Sequence, residues 1–385
     1  MKRPRNFRAY IGSITLAIGA LIVVMSDHRP SFLRPDLHLC AYVTTADGTL
    51  SVVDLVKLKA VARIPIGAGL SGLRAHPTRA EVLGVSSGGG FVWILDTRTN
   101  RLIARIPAGP LPYSLDFSPD GGRVYTTTSG NDTLLAIDTQ SHAIVGRAHT
   151  GREPVLARVS PDGKTVLVVN RGEGSLGIHD AATLALRSSV SVVPQPESVA
   201  ILPDSSTAFV MSRTERPLSV VDLQRNVLVA NLQLAGKPTD MVLKPDGGEL
   251  YVISPEAHGL QAINTWTHEV GDTMELGSAP SRGVLSSDAS LLFVSDAAAD
   301  RVTPVDIVNR RIIREPGKGF LIPAGDDPTA LAFDPNESLL LVVSHGSGDL
   351  AVIRVRTNSL VTMVPVGDRP QELAVKLFGN REEMK

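Results

Sequence analysis

Residues 112–151 read PYSLDFSPDGGRVYTTTSGNDTLLAIDTQSHAIVGRAHTG. Short runs rich in Val, Ile, Leu and Thr alternate with Ser118-Pro119-Asp120-Gly121, Ser129-Gly130-Asn131-Asp132 and Asp138-Thr139-Gln140-Ser141. Gly, Pro, Asn and Asp interrupt strands and favour tight turns, so the stretch predicts four short strands joined by turns. The next stretch repeats it: PVLARVS, a turn at Pro161-Asp162-Gly163, TVLVVN, the loop RGEGS, LGIHD, a further turn, and LALRSSVSV. The second strand of each unit is apolar throughout, as in Val82-Leu83-Gly84-Val85 and Leu339-Leu340-Leu341-Val342-Val343. A strand that does not alternate is covered on both faces. Small sheets stacked face to face supply that cover.

Two independent markers carry the pattern along the chain. The segments LSVVD, VWILD, LLAID, LGIHD, LSVVD and VTPVD end at Asp54, Asp96, Asp138, Asp180, Asp222 and Asp306, with Asn264 in the remaining place, at a constant step of 42 residues. Pro112, Pro154, Pro196, Pro238 and Pro280 keep the same step, and Pro328 and Pro370 follow after a six-residue insertion near 315–320. Units of about forty residues with four strands each are propeller blades. First strands begin near Leu70, Pro112, Pro154, Pro196, Pro238, Pro280, Pro328 and Pro370, and second strands near Leu39, Glu81, Arg123, Thr165, Thr207, Glu249, Leu291 and Leu339. The expected fold is therefore an all-β, eight-bladed β-propeller, with seven blades if one unit is degenerate. Because the repeat starts on a second strand and stops on a first, residues 39–66 share a blade with 370–377, which closes the ring and removes its open edges.

The first 25 residues differ from the rest. Lys2, Arg3, Arg5 and Arg8 precede an uncharged apolar run over 9–25. That is the pattern of a secretory signal, and its length also sits at the short limit for a membrane anchor. Basic residues before the span place the chain after Met25 outside the cytoplasmic membrane, with 26–38 as a tether, 39–377 as the propeller and 378–385 as a polar tail. The formal net charge of −1 provides no field to attract nucleic acid. A single cysteine allows no intramolecular disulfide and no C-x-x-C-H haem attachment. Cys40 occupies the place held by Val82, Val124 and Val166 in other units, so it is expected as a small buried hydrophobe. There is no zinc pattern, P-loop, G-x-S-x-G elbow or dinucleotide fingerprint, and neither metal nor cofactor is expected.

The units at 112–151 and PTDMVLKPDGGELYVIS at 238–254 resemble the YVTN-family β-propeller repeat, whose pattern runs SPDG-x-x-x-YVTN, V-x-VIDT, IPVG. Ala41-Tyr42-Val43-Thr44 and Tyr251-Val252-Ile253-Ser254 echo its name, and Ile64-Pro65-Ile66-Gly67 and Ile106-Pro107-Ala108-Gly109 echo its end. The resemblance spans about residues 39–377 and implies an exported or surface-exposed binding protein. Related propellers include sugar-lactone hydrolases and the haem d1 domain of nitrite reductase, so fold alone does not settle activity.

The repeated aspartates invite an acid–base reading, but a catalytic group is needed once and a turn in every blade. Asp at a hairpin accepts backbone N–H bonds, and the same holds for Asp120, Asp162 and Asp246. Function is better sought in departures from the repeat. Loops joining second to third strands and loops joining blades share one rim around the central channel. There Arg171, Arg213, Asp240, Arg282 and Asp296 fall on consecutive blades, with His345 and Glu372 further round. Guanidinium groups suit planar recognition of carboxylate or phosphate. These seven residues are the expected ligand-binding set, for a small anionic ligand or a partner protein on one rim. His179 stands where other units carry Val or Ile and is expected as a core or edge histidine. The leading functional expectation is a non-enzymatic extracytoplasmic binding or scaffold protein, touching the membrane only through its N-terminal segment. The alternative is a lactonase-like hydrolase using Asp240, Asp296, His345 and Glu372. A haem d1-type redox role is disfavoured by the single cysteine and the lack of a clear axial histidine pair.

Overall fold

In the computed structural model, residues 37–313 and 322–379 are described. The signal or anchor at 1–25, most of the tether, the insertion near 315–320 and the tail beyond Gly379 lie outside them. Eight antiparallel sheets follow one another along the chain. Blades 1 to 7 are residues 70–107, 112–149, 154–191, 196–232, 240–275, 280–312 with 322–323, and 328–365. Blade 8 joins the two ends of the repeat: the C-terminal strand Pro370–Gly379 pairs with Leu37–Thr45, followed outward by Thr49–Asp54 and Lys59–Pro65. The closing strand carries Phe378 and Gly379 as buried residues, where the sequence pattern placed them in the polar tail. In blade 6 the outer strand is split into Arg311–Ile312 and Ile322–Pro323, both paired with Arg301–Asp306. Among the described residues no helix is long and apolar enough to cross a membrane.

Burial follows strand order. The second strands Glu81–Ser86, Thr165–Asn170 and Leu339–Ser344 are buried beyond their first residue, whereas outer strands such as Ala143–His149 alternate towards solvent. Each of the eight interfaces between neighbouring blades has its own apolar cluster. The core is thus a ring of eight thin layers, each made by residues one repeat apart.

The hairpin aspartates do what their repetition implies. Asp54 accepts the main-chain N–H groups of Val56 (3.0 Å) and Lys57 (2.9 Å), and Asp138 those of Gln140 (3.1 Å) and Ser141 (2.7 Å). Asn264 makes the same pair with Trp266 and Thr267, both at 3.0 Å. The Ser-Pro-Asp-Gly aspartates likewise cap their own turns, as Asp120 does to Gly122 at 2.9 Å. Cys40 is buried, and burial pushes its thiol up to about 11. His179 is fully buried in blade 3 with Nδ1 3.0 Å from the Leu184 carbonyl, and burial lowers its pKa.

His76 replaces the serine of the Ser-Pro-Asp-Gly turn in blade 1 and is 2% exposed. Its Nδ1 accepts the N–H groups of Thr78 (3.2 Å) and Arg79 (3.0 Å), which requires the neutral ring. Burial, with Arg79 and Lys376 adding to it, lowers its pKa to about 4. The unfolded chain binds this proton below about pH 6.5 and the folded one only near pH 4, so the contribution of His76 to stability is complete above 6.5 and lost as pH falls towards 4. The expected loss is on the order of 2–3 kcal/mol. Urea melts of wild type and His76→Gln across this window measure it as the difference between the two slopes. Parallel curves would show that His76 titrates normally.

Candidate functional site

The inner strands are Leu70–Ala75, Pro112–Phe117, Pro154–Val159, Pro196–Ile201, Asp240–Leu243, Pro280–Leu285, Pro328–Phe333 and Pro370–Gly379. Successive inner strands touch from blade 1 round to blade 7, and Glu372 of the closing strand bonds to Gly72 and Leu73 of blade 1, so these strands line the channel. Register places the ends of the second strands opposite the starts of the third, as in Thr128↔Thr133, and the Asp hairpins at the other end, as in Arg123↔Asp138. The rim loops and the turn aspartates therefore occupy opposite faces. Two levels of the channel wall depart from the repeat. Two residues after the blade-start proline the wall carries Asp240, Arg282 and Glu372, and four residues after it Arg74, Asp116 and Arg158 on consecutive blades. At that second level the remaining blades carry Ala200, Val242, Val284, Ala332 and Ala374.

A cavity of about 240 Å³ lies in the channel between the inner strands of blades 1, 5, 6, 7 and 8. Arg74, Asp240, Arg282 and Glu372 supply its charge, and Leu331 and Leu373 add apolar surface. Asp240 Oδ1 lies 3.7 Å from Arg282 Nη1, while Oδ2 accepts the Gly283 N–H at 2.9 Å. Burial raises the Asp240 pKa, opposed by Arg282, by the Gly283 and Met241 N–H groups and by Arg213. The Glu372 carboxylate accepts the N–H groups of Gly72 (3.1 Å) and Leu73 (2.6 Å) in blade 1. Arg74 Nη1 donates to the Leu73 carbonyl at 2.9 Å. Beside it, Asp116 Oδ1 lies 3.7 Å from Arg158 Nη1 and Oδ2 accepts the Val159 N–H at 2.9 Å.

The remaining expected residues part from this group. Arg171 pairs with Glu153 (2.9 Å) and Glu197 (3.6 Å), and its guanidinium lies 5.9 Å from the centre of the Tyr113 ring. Arg213 pairs with the other oxygen of Glu197 at 3.3 Å, so Glu197 bridges the two arginines on the rim. Burial lowers the Arg213 pKa, with Arg282 adding to it and Glu197 and Asp240 opposing, so the rim pair and the cavity share one electrostatic field. Asp296 is only 3% exposed. Its carboxylate accepts N–H groups from Ser278 (2.8 Å), Ala279 (3.1 Å) and Ala298 (3.2 Å), which ties down the loop between blades 5 and 6. His345 is half-buried and anchored by its main-chain N–H to the Asp327 carbonyl at 2.9 Å, and it does not line the cavity.

The structure therefore brings together Asp240, Arg282 and Glu372, sets Arg171 and Arg213 on the rim already paired, and separates Asp296 and His345. Only Asp240 and Glu372 of the four residues considered for hydrolysis share the cavity. Arg74, Glu153 and Glu197 fall outside the set expected from sequence. Arg74, Asp116 and Arg158 break the repeat in one column at 42-residue steps, and Glu197 is the only charged residue directly after a blade-start proline. Reading every inner-strand column finds both signals.

A family model described as YNCE-like beta-propeller matches residues 91–291. No curated protein matches the chain. Among solved structures, the chain is similar to Kuenenia stuttgartiensis hydrazine synthase at 18% identity and TM-score 0.59, covering 75% of this chain and 97% of that one. The dihydro-heme d1 dehydrogenase NirN in complex with DHE matches at 18% identity and TM-score 0.71, covering 90% and 77%. Apo AztD from Citrobacter koseri matches at 11% identity and TM-score 0.68, covering 89% and 99%. At these identities the likeness is one of fold.

Proposed function

The chain belongs to the YNCE-like β-propeller family, and from that premise we propose that it is a non-enzymatic binding protein, held or released outside the cytoplasmic membrane, that takes a small charged ligand into the channel cavity. The observation that carries this reading is the convergence of Arg74, Asp240, Arg282 and Glu372, from four different blades, on one cavity of about 240 Å³. Such a volume lies below the range of roughly 300–1,000 Å³ usual for drug-sized ligands and suits a small metabolite. Arg282 is the anion-binding group: among the described residues its one carboxylate partner stands 3.7 Å from Nη1, which also donates to the Thr239 carbonyl at 3.3 Å, and this leaves the Nε and Nη2 donors for a ligand. The paired arginines Arg171 and Arg213 form the polar mouth. The basic and apolar N-terminal sequence supports the location.

Titrating the protein with phosphate, succinate, glycylglycine and 4-aminobutyrate while following its melting temperature tests the reading. At least one compound is expected to bind saturably. Arg282→Ala should then weaken it by about 1.5–3 kcal/mol, roughly ten- to hundredfold, with little change in the melting temperature of the free protein. The reading fails if no compound binds, or if Arg282→Ala binds as wild type does. Protease added to intact spheroplasts should reach the folded body, and protection from it would place the body inside.

A further inference from the structure

The charges of the cavity are arranged for a particular class of ligand, and this inference rests on the binding reading above. Most acidic side chains near the channel have a cationic neighbour: Asp240 has Arg282, Asp116 has Arg158, and Glu197 has Arg171 and Arg213. Glu372 and Arg74 are different. They line the same cavity on adjacent inner strands, yet among the described residues neither has an ion-pair partner within 4 Å, including one another. Glu372 is held by two main-chain N–H groups and Arg74 by one carbonyl, so each is fixed in place and still carries unmatched charge. Ionised groups that share a cavity without neutralising each other stay unpaired at a cost, unless a ligand supplies both counter-charges.

Geometry then separates the two ends. Glu372 stands two residues after its blade-start proline and Arg74 two residues further along its own strand, so their Cα levels differ by about 6–7 Å, and their charged groups meet opposite sides of Leu73, the carboxylate at its N–H and the guanidinium at its carbonyl. Asp240 and Arg282, at the Glu372 level, largely offset one another, as do Asp116 and Arg158 at the Arg74 level, which leaves Glu372 and Arg74 as the unmatched charges. Leu331 and Leu373 add apolar surface to the same cavity. We infer that the cavity receives a small zwitterion with an apolar spacer, its cationic amine at Glu372 and its carboxylate at Arg74. No covalent step is involved.

Three four-carbon probes of near-equal size test this by calorimetry on the full chain: 4-aminobutyrate, succinate and 1,4-diaminobutane. The zwitterion is expected to bind about tenfold or more tightly than either singly signed probe. Glu372→Gln should erase the discrimination against succinate, and Arg74→Gln the discrimination against the diamine. Glu372 also ties blade 8 to blade 1, so Arg74→Gln keeps the test decisive if Glu372→Gln fails to fold. Succinate binding as tightly as 4-aminobutyrate to wild type would overturn the zwitterion while leaving a small-anion binding protein standing. Binding of the diamine as tightly as the zwitterion, or a discrimination unchanged in Arg74→Gln, also overturns it. Silence from all three probes, and from phosphate and glycylglycine, overturns the binding reading itself.

Discussion

Deleting residues 370–385 is expected to cost the protein its cooperative fold, whereas deleting 380–385 should leave its melting curve unchanged. The longer deletion removes the inner strand of blade 8, which pairs with Leu37–Thr45 in a sheet whose other members come from the opposite end of the repeat. Ala374 and Phe378 leave the cluster that holds Cys40, Tyr42 and Trp93. The Glu372 bonds to Gly72 and Leu73, and the Lys376 ammonium bond to the His76 carbonyl, leave with them. The second strand of blade 8 is then an exposed, largely apolar edge, a template for pairing with other chains. A loss on the order of 5 kcal/mol or more is comparable with the whole stability of a domain. Circular dichroism melts and size-exclusion chromatography distinguish the outcomes: aggregation or a lost transition for the longer deletion, wild-type behaviour for the shorter. Equal melting temperatures for the two would refute closure by a shared blade.

Trp93→Ala is expected to destabilise the protein by about 3–5 kcal/mol, the range for emptying a large aromatic site. Trp93 is fully buried at the interface of blades 8 and 1, packed with Cys40, Tyr42 and Leu50. It fits because its partner across the strands, Gly84, has no side chain: a Cβ there would collide with the Cζ2 and Cε2 atoms of the indole. Gly84→Ala should therefore cost about 1–3 kcal/mol in overpacking, although alanine is the better strand residue. The two sites share one volume, so their effects should not add. In the double variant Gly84→Ala/Trp93→Ala, the added methyl occupies part of the emptied space, and the loss should be smaller than the sum by about 1 kcal/mol or more. Urea denaturation of the two single variants and the double variant measures this. Strict additivity would mean that the indole has room to move away from position 84.

How far each feature is legible follows from its range. His179 and Cys40 stand out because they break an apolar column, and a column repeated in every blade is a packing statement: both are buried. The turn aspartates are legible for the same reason, since their partners lie two or three residues on. Asp296 breaks its column too, but the break marks a loop anchor, because its carboxylate folds back onto Ser278 and Ala279. Departure from a repeat locates an unusual residue without saying which way its side chain turns.

The amino-acid sequence by itself determined the number of blades, their strands, the face on which the turns lie and the shared blade that closes the ring. These rest on backbone hydrogen bonding, turn chemistry and apolar periodicity, which act over a few residues and repeat 42 residues on. Only the tertiary structure decided which charges meet. Asp240 faces Arg282 across neighbouring blades, Glu372 reaches Leu73 from the other end of the chain, and Arg171 and Arg213 spend part of their charge on Glu197. Those pairings depend on side-chain direction at the channel wall and on desolvation there, and both exist only once the ring has closed.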